Sequence, residues 1–286
     1  MAKLSFFTAI LMAAAAIADP APYPPFVTES PSPVSVKKLP FFGHKSGNYQ
    51  PNTHNSNATK THKPGKRETG EWVQIPADAR WDNTNIQDGI GNGWDGYTMH
   101  WGSGGSWDGW PTRNNWVSFQ NMFDNNKDFM FSSCSQFGQA NNDGPEIGAI
   151  WDSIQQVAAE TGVDHRLILA VILQESGGCV RAPTSNYGVR NPGLMQCHNG
   201  DGTCNSDLTG QVQHPCPTGV ITQMVREGTA GTNSGDGLAN CINQSGWSND
   251  ADFYRAARIY NSGEVDASGR LECGIATRCY ASDIAK

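Results

Sequence analysis

Long apolar runs are scarce in this chain of 286 residues. One run, residues 6–17, is almost wholly apolar, and it is too short to span a bilayer comfortably. Lys3 precedes it and residues 16–18 fit a small-residue cleavage site, so the pattern predicts a signal peptide over residues 1–18. We therefore expect a secreted, extracellular protein that has no membrane contact after the signal is cleaved.

Positively charged residues are also scarce. From Glu68 onward, 12 Lys and Arg stand against 25 Asp and Glu, a net charge of −13. Because no local basic patch offsets this balance, the sequence excludes nucleic acid as a partner. It also excludes long-range attraction to an anionic cell wall at neutral pH, so recognition of such a wall has to be short-range.

Residues 19–67 lack the apolar side chains that build a core. Prolines cluster over residues 20–33, and His, Asn, Ser, Thr and Lys dominate the remainder, which predicts disorder. Lys66-Arg67 ends the segment and looks like a kexin-type processing site. We favour a propeptide that is removed there, and a chance dibasic pair in a linker is the alternative. Asn57-Ala58-Thr59 is a glycosylation acceptor if exposed.

Cysteine is absent before residue 134, and all eight cysteines follow. An even number in an exported chain predicts disulfides, but the sequence cannot choose among the 105 possible pairings. Cys197 and His198 with Cys204 and His214 are possible metal ligands, a less favoured interpretation in an oxidising compartment. We predict no metal and no cofactor. Asn243-Gln244-Ser245 is a second glycosylation acceptor if exposed.

Residues 68–142 show few helix signals, and residues 91–111 are dense in Gly, Asp and Trp without helical or strand periodicity. The favoured interpretation is an irregular extension whose tryptophans pack against the main domain. The alternative is a sugar-stacking surface, because aromatic faces pack on pyranose rings. The tryptophans concerned are Trp94, Trp101, Trp107 and Trp110.

A helical pattern begins near residue 145. Gly144-Pro145-Glu146 suits a helix start, and apolar residues at helical spacing run to Gly162. Asp164 can cap a second helix, which is apolar on every side over residues 167–173 and is therefore predicted to be central. Gly177 should end it.

Two further helices are indicated later in the chain. Residues 220–225 suggest a third. A fourth is capped by Asn249 or Asp250, carries an apolar stripe that includes Phe253 and Tyr260, and ends at Gly263. The sequence therefore predicts one mostly α domain of the α+β class over residues 143–286, stabilised by disulfides in its loops.

Glu175 is the strongest catalytic candidate. Leu167, Val171 and Glu175 stand four residues apart, so the carboxylate continues an apolar helix face. Burial and the negative end of the helix dipole both disfavour the anion and should raise the pKa of Glu175. A glycosidase acid needs this, because it must carry a proton to the glycosidic oxygen. A glutamate that frays into solvent at the helix end is the alternative.

Three short motifs occur in order: Glu175-Ser176, residues 193–196 (Gly-Leu-Met-Gln), and Tyr260-Asn261. Over residues 145–285 the pattern resembles the soluble lytic transglycosylase and goose-type lysozyme family, which cleaves peptidoglycan. The resemblance implies a lysozyme-like fold and makes Glu175 the general acid/base. Ser185, Gln196, Tyr260 and Asn261 would bind substrate, and the Tyr260 hydroxyl could also reach Glu175 and orient it. Leu194 should pack inward.

The second carboxylate is less defined. Ordinary glycosidases use two, whereas the transglycosylases of this family use one, because the 6-hydroxyl of the sugar attacks and gives an anhydro product. Goose-type lysozymes place an Asp shortly after the Gln-containing loop, and Asp201 is the best match here, although its spacing differs. Asp201 could equally cap a turn, and Asp207 is a weaker candidate.

Three functions follow from these patterns. The first is a peptidoglycan-cleaving glycosidase that acts as a monomer on its polysaccharide substrate. The second is an enzyme that cleaves chitin or chitosan, which share the β-1,4 linkage. The third is a non-catalytic wall-binding protein with a lectin-like tryptophan surface. A deep groove with Glu175 at its base favours an enzyme, and an exposed Glu175 on a flat face favours a lectin.

Overall fold

The computed structural model describes residues 85–90, 97–186, 188–246, 249–274 and 276–285. The predicted signal peptide, the segment 19–67 with Asn57, and Trp94 lie outside these ranges. Within them, no helix combines the length and the apolar character needed to cross a membrane.

The described part of the chain is mostly helical, with one small antiparallel sheet, which confirms the mostly α prediction within the α+β class. Short 3₁₀ turns precede and follow the first helix. In the sheet, Ser185 pairs with Asn191 and Asn186 with Arg190. The elements are α1 Phe119–Ser132, α2 Gly144–Thr161, α3 His165–Ser176, β1 Ser185–Asn186, β2 Arg190–Asn191, α4 Thr218–Ala230, α5 Leu238–Ser245, α6 Ala251–Ser262 and α7 Tyr280–Ile284.

Helix α2 begins and ends where the sequence indicates. The Asp143 side chain accepts from the Glu146 backbone N–H at 2.8 Å, and the Glu146 side chain accepts from the Asp143 N–H at 2.8 Å. This reciprocal capping box satisfies two backbone donors of the first turn. Gly162 then ends the helix with φ 79°, a left-handed conformation that glycine adopts without a Cβ penalty.

Helix α3 is the central helix, as predicted. The Asp164 side chain caps it by accepting from the Arg166 backbone N–H at 2.9 Å. Gly177 terminates it with φ 63°. The residues from Leu167 to Leu169 are at most 1% exposed, and α3 packs against α1, α2 and α7. The carboxyl end of this buried helix carries Glu175.

Helix α1 departs from the expected irregular extension. The Ser118 hydroxyl caps it by accepting from the Asn121 N–H at 3.3 Å, and Phe119, Phe123 and Met130 are buried on one side. Met122 and Phe131 are partly buried and also pack against the core, but polar residues fill most of the rest of α1, so its apolar pattern is weak in the sequence. The helix forms because α2 and α3 offer a surface for its aromatic residues.

The structure contains two disulfides, Cys134–Cys179 and Cys204–Cys216. The prediction of disulfides is confirmed for these four cysteines. The bond at Cys204 also removes that residue from the alternative set of metal ligands. Cys197, Cys241, Cys273 and Cys279 lie outside these two bonds.

A buried ion pair joins the segments that the two disulfides stabilise. Arg181 donates to both carboxylate oxygens of Glu146, at 2.5 and 2.9 Å, and neither side chain is more than 2% exposed. Arg181 also donates to the carbonyls of Ala140 and Asn141, and Glu146 accepts from the Cys216 N–H at 2.6 Å. One charged pair thus holds three loop segments to the start of α2.

Candidate functional site

Glu175 lies in the last turn of α3, against the short helix α7. The Tyr280 hydroxyl donates to Glu175 Oε1 at 2.5 Å. The neighbouring Gln174 amide donates to Asp283 Oδ2 at 3.2 Å. Two adjacent side-chain hydrogen bonds therefore hold the end of α3 to α7 and fix the position of the carboxylate.

The environment of Glu175 favours the protonated acid. Glu175 is partly buried, and loss of solvent raises the pKa of its carboxyl to about 7, while the hydrogen bond from Tyr280 acts in the lowering direction. The direction of this shift agrees with the prediction, and burial is its cause. An acid with this pKa holds its proton up to neutral pH and can still release it, which general acid/base chemistry requires.

The loop with the Gly-Leu-Met-Gln motif approaches neighbouring backbone closely. Gly193 has φ 77°, and a Cβ placed there would lie 2.7 Å from the Gly202 carbonyl oxygen and 2.8 Å from Met224. Only glycine fits this position. Leu194 and Met195 are fully buried, so the inward packing predicted for Leu194 is confirmed.

The structure brings Ser185 and Gln196 together. The Gln196 amide oxygen accepts from the Ser185 N–H at 3.3 Å, and its Nε2 donates to the carbonyls of Pro183 and Gly193 at 3.1 and 3.0 Å. Gln196 thus fastens the loop that precedes β1 to the Gly193 turn. Both residues stay partly exposed. Their contact with a sugar remains a prediction.

Tyr260 does not form the hydrogen bond to Glu175 that the sequence analysis predicted. Its hydroxyl donates to the Met195 carbonyl at 2.7 Å, which ties α6 to the Gly193–Gln196 turn. Burial raises the pKa of Tyr260, and the neighbouring charges of Cys197 and Glu175 add to the effect, so Tyr260 and Glu175 are within electrostatic reach. Tyr280 occupies the place that the sequence assigned to Tyr260.

Asn261 and Asp207 are bound to residues other than Glu175. Asn261 Oδ1 accepts from Arg258 at 3.4 Å. Asp207 pairs with Arg190 at 2.7 Å and accepts from Thr184. These contacts give Asp207 a structural role in positioning β2.

Asp201 is exposed at a separate polar pocket of about 460 Å³. Its backbone N–H and that of Gly202 donate to Glu227 Oε2 at 3.1 and 2.9 Å. Glu175 is not among the residues that line this pocket. The structure therefore does not bring Asp201 into contact with Glu175, and the role of Asp201 in positioning a water stays a prediction.

One group in the described ranges has the geometry of a metal site. Ligand atoms of Asp88, Asp164 and His165 lie within 4.8 Å of one another, and all three residues are buried. However, His165 Nε2 is 2.7 Å from Asp88 Oδ2, and the Arg166 guanidinium pairs with Asp164 at 2.7 Å. Because the Arg166 guanidinium pairs with both carboxylates, at 2.7 Å to Asp164 and 3.4 Å to Asp88, the cluster is a charge network that holds residue 88 to the start of α3.

Comparisons of this chain with protein-family models, curated proteins and solved structures found no match. The site is therefore assigned from the chemistry of its own residues.

Sequence reasoning missed Tyr280 and Asp283. Both lie on α7, a helix of five residues that is too short to give a periodic pattern. The available signal was an i, i+3 pair of hydrogen-bonding side chains, which places both on one helix face. That spacing matches the two contacts made with Gln174 and Glu175.

Tyr280→Phe tests whether the hydroxyl of this tyrosine positions and tunes Glu175. As Glu175 gives up its proton it becomes an anion, which the Tyr280 hydroxyl stabilises. Loss of that bond should reduce the rate roughly 2–12-fold on the acid plateau. Because the bond lowers the pKa of Glu175, its loss should also move the alkaline limb of the pH–rate profile to higher pH.

Tyr260→Phe is the matched control, because its hydroxyl donates to Met195 and not to Glu175. It should leave the alkaline limb in place even if the rate falls. An unchanged limb in Tyr280→Phe would show that the contact has no part in the ionisation of Glu175.

Proposed function

We propose that this protein is a secreted glycosidase of lysozyme-like fold that cleaves β-1,4 bonds of peptidoglycan, as a hydrolase or a lytic transglycosylase. The observation that carries the proposal is the position of Glu175 at the end of the buried helix α3, where the Tyr280 hydroxyl holds its carboxyl and loss of solvent raises the pKa of that carboxyl to about 7. Strongly perturbed carboxyls held by a specific partner are typical of catalytic sites. The turn with Gln196 and helix α6 are joined through Tyr260 and Met195, which supports a single site built from the three motifs.

The proposed reaction uses Glu175 twice. The protonated carboxyl gives its proton to the glycosidic oxygen as the bond from that oxygen to the sugar C1 breaks. The oxygen of a water, or of the 6-hydroxyl of the same sugar, then bonds to C1. Its proton returns to the Glu175 carboxylate, which restores the acid. Water gives a reducing end, and the 6-hydroxyl gives an anhydro end.

Analysis of the products from purified peptidoglycan tests the proposal. Mass spectrometry of the soluble fragments distinguishes reducing ends from anhydro ends, and either product supports a glycosidase. Glycan strands left uncut by the folded protein would refute cleavage of peptidoglycan.

Chitin is the second candidate substrate. The net charge of −13 from Glu68 onward opposes approach to an anionic wall and does not oppose an uncharged polymer. Release of soluble oligosaccharides from chitin, with peptidoglycan left intact, would favour this candidate.

Activity on bacterial walls is expected to be highest below neutral pH. Glu175 acts from its protonated form, so kcat/KM should fall as pH rises through about 7, the pKa of its carboxyl. Repulsion between the acidic protein and the wall also grows with pH and is screened by salt. A pH–rate profile at low and high ionic strength separates the two effects.

An acid pH optimum that persists at high salt would support the Glu175 explanation and exclude wall repulsion as the cause. An optimum above neutral that is insensitive to salt would contradict both.

A further inference from the structure

Two large aromatic side chains are exposed near α7. Tyr97 is 53% exposed and Trp101 is 55% exposed. Trp110, in the same segment, is 3% exposed and packs on Tyr254. The expectation that the tryptophans bury against the main domain therefore holds for Trp110 and is wrong for Trp101 and Trp107, which is 68% exposed.

The backbone that presents Trp101 is fixed from three sides. The Trp110 indole N–H donates to the Trp101 carbonyl at 2.8 Å. The Gly102 N–H donates to Glu272 Oε2 at 3.0 Å, and the Gly102 carbonyl accepts from the Leu271 N–H at 2.8 Å. An exposed indole on an anchored backbone loses little conformational entropy when it binds a ligand.

The segment that contains Tyr97 runs along α7, the helix whose Tyr280 contacts Glu175. The Ser282 hydroxyl accepts from the His100 N–H at 2.7 Å and donates to the Thr98 carbonyl at 3.2 Å. Burial and the neighbouring Asp283 carboxylate raise the pKa of Tyr97 to about 12.

Asp283 also accepts from Gln174, the residue before Glu175. The segment 97–100 and the end of α3 therefore both contact α7, the first through Ser282 and the second through Tyr280 and Asp283. One short helix thus supports both the exposed aromatic residues and the candidate acid.

We propose that Tyr97 and Trp101 form an aromatic platform that binds sugar rings of the glycan next to the bond cleaved at Glu175. The proposal rests on the proposed function for its ligand, a β-1,4-linked polymer of N-acetylated hexosamines. The C–H face of a pyranose is apolar and packs on an aromatic ring, and the binding gains from removal of water from both surfaces. The contact is short-range and uncharged, which is the recognition that an acidic protein needs on an anionic wall.

The test measures equilibrium binding of the full chain to insoluble peptidoglycan and, in parallel, to chitin. All variants carry Glu175→Gln so that the polymer is not cut during the measurement. Trp101→Ala and Tyr97→Ala should each weaken binding roughly tenfold, the effect of about 1.4 kcal/mol. Trp101→Phe and Tyr97→Phe keep a flat ring and should retain most of the binding.

Trp107→Ala is the control for loss of an exposed aromatic. Trp107 is 68% exposed, and its indole donates to Ser103 within its own loop. Its loss should leave binding within about twofold. Thermal unfolding of each variant checks that the fold is retained.

Each outcome decides between the two proposals. If the unmodified protein cuts peptidoglycan and Trp101→Ala or Tyr97→Ala binds like its parent, the platform is refuted and the proposed function stands. If neither polymer is cut and binding still depends on these two rings, the glycosidase is refuted and the sugar-binding surface stands. A loss with Trp107→Ala equal to that with Trp101→Ala would overturn the assignment to these positions. Binding to only one of the two polymers would identify which of them the protein recognises.

Discussion

Glu175→Gln is expected to reduce lysis of bacterial walls roughly 10²–10⁴-fold, the usual contribution of general acid/base catalysis. The amide keeps the shape of the side chain and can still accept from the Tyr280 hydroxyl, so α7 should remain in place. It has no proton acidic enough to give to the leaving oxygen. The rate of wall clearing by the purified variant, corrected for the folded fraction, measures the effect.

Glu264→Gln is the control for removal of a carboxylate near a helix end. Glu264 follows α6 and is exposed, so its substitution should leave lysis close to that of the parent protein. Near-normal turnover in folded Glu175→Gln would remove Glu175 from the reaction.

Arg181→Met is expected to lower the free energy of unfolding by about 3–5 kcal/mol. The substitution leaves the buried Glu146 carboxylate without its cation and removes the donors to Ala140 and Asn141. Methionine fills part of the volume but cannot replace these bonds. Chemical denaturation with the disulfides intact measures the change.

Lys127→Met is the control at a more exposed pair. Lys127 contacts Asp124 at 3.0 Å within α1, and both side chains are about a third exposed. Pairs of this kind contribute about 0–1 kcal/mol, so the substitution should have a small effect. A similar loss of unfolding free energy in both variants would mean that burial does not increase the contribution of the Arg181–Glu146 pair.

Local signals in the sequence were sufficient to predict the helices whose ends carry capping residues or glycines. Asp143, Gly162, Asp164 and Gly177 mark the ends of α2 and α3, because capping depends on residues within one turn. Helix α6 was found in the same way: Asp250 is its N-cap residue, and the side chain of the preceding Asn249 accepts from the Ala251 N–H at 2.8 Å. These ends need no information from distant parts of the chain.

Helices α1, α5 and α7 were missed because tertiary contacts stabilise them. Helix α5 spans Leu238–Ser245 and packs mainly against α6, and α7 has five residues and no side-chain cap. Short helices are marginal on their own, so packing against a neighbour decides whether they form. The sequence does not show which neighbour is available.

The same limit applies to the site. Glu175 was found because it continues an apolar helix face with Leu167 and Val171, a pattern within one helix. Its hydrogen-bond partner, Tyr280, is 105 residues away in the chain, so the contact depends on how α3 and α7 pack. Tyr260 had the expected spacing on α6, but its hydroxyl is directed to the Met195 carbonyl.

The contact between Tyr280 and Glu175 also links proton binding to the attachment of α7. The hydrogen bond lowers the pKa of Glu175, which means that it is stronger with the ionised carboxylate. By thermodynamic reciprocity, loss of the proton must tighten the contact. Local opening of α7 should become rarer as the acid ionises, and its backbone amides should exchange more slowly with solvent than the change in pH alone predicts. Helix α7 would then be held most loosely in the protonated form, the form in which Glu175 begins the proposed reaction.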